Sequence, residues 1–361
     1  MIYGNLTSAI NAGASGRTVA QQSASTIANN MSNVDTEGFC RKELQYTTQI
    51  VGGLGCGLIP VGIKRYTDMF KTEQMRVMTS DVSSLETLTS YYTDLNQQLG
   101  QPGENNALTS YVNDFKKNIE LLVARPEVVG SRSALLFSAQ TLAQELGALS
   151  TVAQSARSMA DGAINSSVLD VNNILTNLNN INSQIALLNS QGLPTAELLD
   201  QRDHNLTQLS ENMDCRVQYG ENDTVSIYTN GGLSLLQSSL NQLTFNTSPG
   251  LTAAASYASG TLNGILINGN PALDITPTIT GGKLGALIQL RDVELPAFQA
   301  SLDQLTGMLR DQINAIHNCG TASQVPQSLA GNRTGQTMGD NIVGSGTVAV
   351  AVVDRATGKL V

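Results

Sequence analysis

The sequence predicts a mainly α fold with β additions: a long-helix bundle or coiled-coil domain with a β-hairpin arm, an inserted small β region and the start of an outer β domain. Three patterns carry that reading. Apolar residues recur at three- and four-residue steps from about Asp68 to Gln191, and again from about Lys283 to Ile316. Glycines punctuate short apolar runs between Gly52 and Gly62. After Asp214, apolar and polar residues alternate around turn signals. The resulting division is residues 1–36 as an N-terminal helix and turn, 37–67 as the arm, 68–213 as the bundle, 214–280 as the β region, 281–319 as a return helix of the bundle, and 320–361 as the outer β domain.

The first helix follows from Tyr3, Leu6, Ile10, Gly13, Arg17, Ala20, Ala24, Ile27, Met31 and Val34, which share one helical face. That face is thin, because Gly13, Ala20 and Ala24 bring little area and Arg17 interrupts it. Each glycine in a helix costs about 1 kcal/mol relative to alanine, and isolated helices are marginal in water. The segment is therefore expected to be weakly ordered alone and helical once a partner covers Tyr3, Leu6, Ile10, Ile27, Met31 and Val34. An ordinary helix docked on its own domain is the alternative. Asn30, Asn33, Asp35 and Gly38 lie in a run of residues that tolerate left-handed backbone angles, so they set a helix stop and tight turn into the arm.

In the bundle, Ile164, Val171, Leu178 and Ile185 take one heptad position and Ile174, Ile181 and Leu188 the other. This seam calls for a facing helix. Gly192-Leu193-Pro194 breaks it, and Thr195 is placed to cap a second helix that folds back as an antiparallel hairpin. In the return helix, Pro296 predicts a kink near Arg291–Leu295.

Composition excludes several functions. Only 4% of residues are aromatic, 14% are charged, and the net charge is −9. No basic cluster is longer than a pair such as Arg41-Lys42 or Lys116-Lys117, too little to neutralise a phosphate backbone or hold an anionic bilayer. Neither nucleic acid nor membrane is an expected partner. The N-terminus lacks the basic start and apolar core of a secretory signal. The cysteines Cys40, Cys56, Cys215 and Cys319 are scattered without a CxxC, so free thiols are expected.

Chemistry is equally thin. Asp200 and Asp203 flank Arg202 beside His204, but carboxylates at this spacing on one helix are expected to form surface ion pairs worth a few tenths of a kcal/mol. Arg202, with Asp200 and Asp203, is alternatively expected to tie the helical hairpin to the β region. His317 and Cys319 fall short of a zinc ligand set. No GxSxG, phosphate loop or dinucleotide fingerprint occurs. No catalytic residue, cofactor, metal or small-molecule substrate is expected.

Three blocks then carry a family resemblance. Ala28–Arg41, ANNMSNVDTEGFCR, resembles the signature of flagellar rod, hook and junction subunits. Leu198-Leu199-Asp200-Gln201-Arg202-Asp203, followed by VQYGENDTVSIYTNGG, resembles the hook-filament junction proteins of the hook-associated protein 1 family. Gly282-Lys283-Leu284-Gly285-Ala286-Leu287, running into Leu305–His317, fits that family in the same order. The resemblance implies a structural subunit joining hook to filament, exported through the flagellar type III apparatus and extracellular in the flagellum. It also implies as partners further copies in a helical or ring assembly, the hook protein, the second junction protein and an export chaperone. Such proteins pair the N-terminal helix with a C-terminal one. No such C-terminal helix follows Val361 in this sequence, so a fragment or a shortened product is expected. A hook or distal rod protein is the first alternative, though those lack the long heptad helix and the LLDQRD block. A secreted adhesin or effector with a flagellar-type N-terminus is the second.

Overall fold

The computed structural model describes residues 3–36, 38–51, 54–100, 107–248 and 251–318. The expected outer β domain at 320–361 and Cys319 lie outside them. The chain divides into two compact units, residues 1–300 and 301–361.

Helix α1 (Tyr3–Ser32) opens the chain and leads through a turn to an antiparallel hairpin of β1 (Lys42–Val51) and β2 (Leu54–Arg65). Register shifts between Gln45 and Tyr46 and between Gln49 and Ile50 bulge the hairpin. Four helices follow: α2 (Met69–Leu99), α3 (Leu108–Ala124), α4 (Val129–Ser190) and α5 (Ala196–Asn212). Asp68 caps α2 by accepting from the amides of Phe70 and Lys71 at 3.1 and 3.3 Å. Thr195 stands at the start of α5 as expected, but its side chain makes no capping bond. The tight turn comes instead from Gly192, at φ +68°, and backbone bonds back to Leu188 and Asn189.

The β region is two small antiparallel sheets. One holds β3 (Arg216–Tyr219), β4 (Val225–Tyr228) and β5 (Ser234–Leu236); the other holds β6 (Leu243–Thr244), β7 (Leu266–Ile267) and β8 (Asn270–Asp274). Alternation places Val225 and Ile227 of β4 inward. They meet Ile164, Val171 and Leu178 of α4, Leu206 and Leu209 of α5, and Leu284 and Leu287 of α6 (Gly282–Gln289) in one buried cluster. The heptad seam of α4 therefore faces a composite of helices and strands rather than a single helix.

Asparagine side chains join these layers by imitating a peptide group. Asn172 donates to the Leu243 carbonyl and accepts from the Leu243 amide, both at 2.8 Å. Asn182 does the same with Val225, at 2.7 and 3.0 Å. Each pair satisfies both backbone groups of a strand residue from a helix that has no free backbone of its own.

The kink predicted near Pro296 is a π-helical turn, Leu290–Glu294, between α6 and α7 (Leu295–Asn318). The Leu295 amide bonds to the Leu290 carbonyl, which leaves the Arg291 carbonyl free to accept from Arg157 Nε at 3.1 Å. Arg157 also holds the carbonyls of Thr252 and Ala255. Fully buried Arg291 is matched by Asp161 at 2.9 Å and by Asp292. An irregular stretch of the β region is thus pinned to α4 by charge-assisted bonds rather than by apolar packing.

Candidate functional site

Helix α1 has two unlike faces. Ser8, Ala12, Ser15, Val19, Ser23, Thr26, Asn30 and Asn33 recur at three- and four-residue steps and are its covered or half-covered positions. They face the arm with small and polar groups: Ser15 Oγ accepts from the Leu58 amide at 3.1 Å, and a Cβ on Gly57 would lie 2.3 Å from that same oxygen. Among the described side chains of the helix, Val19 is the one buried apolar residue, 4% exposed. The apolar stripe expected from the sequence points away. Leu6, Ile10, Ile27, Met31 and Val34 are all exposed, Met31 at 74%. The side chain of Tyr3 lies outside the described residues.

The turn residues divide their work. Asn30 repeats the asparagine clasp, donating to the Lys42 carbonyl at 2.8 Å and accepting from the Lys42 amide at 3.0 Å. Asn33 bonds back to Asn29 and accepts from Thr36. Gly38 has φ +75°, and a side chain there would come within 3.1 Å of His204 Cβ, so the turn passes close against α5. Asp35 is exposed, and among the described residues no hydrogen bond or ion pair ties it to the arm.

Below the turn lies a joint between arm and bundle. Arg65 of β2 donates to Asp200 and Asp203 of α5, at 2.7 Å each. Lys42 of β1 reaches Asp200 at 2.7 Å and Glu197 at 2.5 Å. Arg202 bonds Asp203, donates to the Asp223 carbonyl at 2.7 Å, and stacks over the Tyr219 ring. Asp200 and Asp203 therefore do not form the surface pairs expected of them. Lys42, Arg65, Asp200 and Arg202 are nearly sealed from solvent, because the arm lies across α5. Burial pulls the Arg65 guanidinium down, but its bonds to Asp203 and the charges of Asp203 and Asp200 outweigh this and hold it above its usual value. Burial raises the neighbouring Cys40 thiol, against the opposing pull of Arg65.

Sequence reasoning missed Lys42, Arg65 and Glu197. The available signal was an excess of charge: basic residues bracket the arm at Arg41-Lys42 and Lys64-Arg65, in a protein otherwise poor in charge. In the bundle, Ile164, Val171, Ile174, Leu178, Ile181 and Ile185 are buried, while Leu188, at the end of α4, is only half-buried. A cleft of about 400 Å³ opens beside the joint, between Val61, Met69, Leu193 and Tyr219, and of its charged walls Arg65, Arg202 and Asp203 are matched to one another within the chain. Among the described residues no cluster of His, Cys, Asp or Glu is arranged to hold a metal ion, and no helix is long and apolar enough to cross a membrane.

Such a chain is a packing module: a helical bundle with a charge-locked arm that displays an N-terminal helix, apolar side out. Residues 92–338 match the family of the flagellar hook-associated protein FlgK helical domain, and the chain belongs to that family. Flagellar hook-associated protein 1 of Salmonella typhimurium is 26% identical over 325 residues, covering 87% of this chain and 57% of the relative. The protein of the same name in Bacillus subtilis is 27% identical over 215 residues, covering 56% and 42%. The match thus spans little more than half the length of the Salmonella relative and less than half of the Bacillus one. The structure of the flagellar hook junction protein FlgK from Burkholderia pseudomallei has the same fold, with a TM-score of 0.58 at 23% identity over 80% of this chain and 56% of that one.

Proposed function

We propose that this chain is a structural subunit of the bacterial flagellum, joining hook to filament, with no catalytic role. The outward stripe of α1 carries the reading. Leu6, Ile10, Ile27 and Met31 are exposed although the same helix has a covered side, and apolar area left in water at regular spacing is stabilised when another molecule covers it. Membership of the hook-associated family supports an axial flagellar assembly as the source of that cover.

In this reading Tyr3, Leu6, Ile10, Ile27, Met31 and Val34 pack against neighbouring subunits. Asn30, Asn33, Asp35 and Gly38 set the turn, and Asp200, Arg202 and Asp203 fix the arm and the β region to the bundle. Residues 1–36 act as the axial helix, 37–67 as the arm, 68–213 with 281–319 as the bundle, and 214–280 as its β insert. The partners are further copies, the hook protein and the second junction protein, with a chaperone before export through the flagellar type III apparatus to the cell exterior. An axial tube is a heterologous assembly, so each copy presents different patches to its neighbours. Electron microscopy of a strain lacking the gene tests the role. Hooks without filaments are expected; normal filaments would remove the proposal.

A further inference from the structure

Asparagine followed by glycine occurs three times in the chain, and all three pairs, Asn230-Gly231, Asn263-Gly264 and Asn268-Gly269, fall in the β region. Glycine has no Cβ to shield its amide or stiffen the chain. Its nitrogen can therefore attack the preceding side-chain carbonyl wherever the asparagine is free to turn toward it. The three pairs differ in how firmly they are held. Asn268 is fixed at both ends of its side chain: Oδ1 accepts from the Gln242 amide at 3.0 Å and Nδ2 donates to Asn241 Oδ1 at 2.9 Å. Its backbone amide also donates to the Gln242 carbonyl at 2.8 Å. Asn263 donates through Nδ2 to the Asn246 carbonyl at 3.0 Å, while its backbone bonds Ser248 Oγ and Arg291 Nη1, each at 3.2 Å. Gly264 beside it lies tight against the Asp274 carboxylate. Asn230 sits in a turn closed by the Gly232 amide on the Thr229 carbonyl at 2.9 Å. Among the described residues its one hydrogen bond runs from Nδ2 to Asp214 Oδ2, at 2.6 Å.

We propose that Asn230 is a deamidation site of the folded chain, the first of the three to react, and that its conversion loosens the seam where the β region rejoins the bundle. The Gly231 nitrogen forms a bond to Asn230 Cγ and gives up its proton. The Cγ–Nδ2 bond breaks and Nδ2 leaves as ammonia. Water then opens the cyclic imide at either carbonyl, leaving aspartate or isoaspartate, so no reactant besides water is needed. The consequence follows from Asp214. Its carboxylate gathers Asn230 Nδ2, the Thr280 amide at 3.1 Å and Thr280 Oγ1 at 2.6 Å, and so ties the start of the β region to its end, just before α6. Deamidation replaces one of these donors with a second carboxylate beside the first, and like charges this close repel. Arg76 lines the same cleft but is already bonded to Glu73 and Tyr219, and Glu73 and Asp81 add negative charge there.

The test holds the purified full chain in warm, mildly alkaline buffer and follows the amide-to-acid mass gain at each asparagine by peptide mapping, with a urea-unfolded sample alongside. In urea the three sites are expected to convert at similar rates. In the folded chain Asn230 is expected to convert roughly tenfold faster than Asn263 or Asn268, the factor set by the further hydrogen bonds those two must break. Conversion of Asn263 or Asn268 first, equal rates at all three, or an Asn230 that reacts only when unfolded overturns the site. The consequence is read separately by amide exchange around Thr280. Asn230→Asp is expected to speed exchange there roughly tenfold, and Asn230→Ala, which loses the donor without adding a charge, to speed it less. An Asn230→Asp variant that exchanges at the parent rate overturns the link to the seam.

Discussion

Arg65 and Asp203 stand 138 positions apart and meet at 2.7 Å, one at the end of the arm and the other on α5. This contact, with Lys42 and Asp200 beside it, sets the direction in which α1 leaves the bundle. Removing one partner of a buried, bonded pair leaves a carboxylate short of its counter-charge. Arg65→Ala is therefore expected to destabilise the docked arm by about 3 kcal/mol. Arg65→Lys keeps the charge but not the fork that spans two carboxylates, and is expected to lose less. Limited proteolysis checks both: cleavage within residues 42–65 should rise sharply for the alanine variant before the bundle is cut.

Arg202→Ala should lower the melting temperature, because it strips the Asp223 carbonyl of its donor and Asp203 of one of two cations. A loss of about 2 kcal/mol is expected for a charged hydrogen bond. Thermal melts check this, and an unchanged midpoint would show that Arg202 ties nothing.

Gly282 sits at φ +66° where the β region ends and α6 begins, and a Cβ there would lie 2.5 Å from the Asn212 backbone carbon. Backbone cannot swing aside as a side chain can. Gly282→Ala is expected to cost about 2 kcal/mol or more, from left-handed strain and the clash together. Denaturant unfolding gives the number; a variant as stable as the parent would contradict the close approach of α6 to α5.

Burial pushes the Cys215 thiol up to about 12 from its ordinary 9.0, with Arg76 opposing. The protonated form is thus favoured by the folded state. Its contribution to stability is complete below about pH 9 and is lost as pH climbs toward 12. Cys215→Ser, which cannot ionise in this range, should flatten that part of the stability curve. At pH 8 Cys215 should be the slowest described thiol to alkylate in the native protein.

The elements were legible where the signal was periodic. The α4 seam from Ile164 to Ile185, the arm, the break at Gly192 and the distortion before Pro296 all follow from spacing and backbone chemistry. What spacing does not report is which face of a helix finds a partner in its own chain. The α1 stripe was visible in Leu6, Ile10 and Ile27, but the polar ridge from Ser8 to Asn33 that actually meets the arm has no apolar signature. The joint was hidden for a related reason. Asp200 and Asp203 look like ordinary solvent-facing helix carboxylates until an arm 135 positions upstream in the chain is laid over them. The asparagine clasps of Asn30, Asn172 and Asn182 are equally unreadable, since each needs a strand residue whose position depends on the finished fold.

Amide hydrogen exchange along residues 6–34, compared between dilute monomer and assembled flagella, addresses the assembly role of α1 most directly. Exchange within seconds in the monomer and protection by several orders of magnitude after assembly is the result expected of a helix completed by its neighbours. Strong protection already present in the dilute monomer, unchanged on assembly, would contradict it.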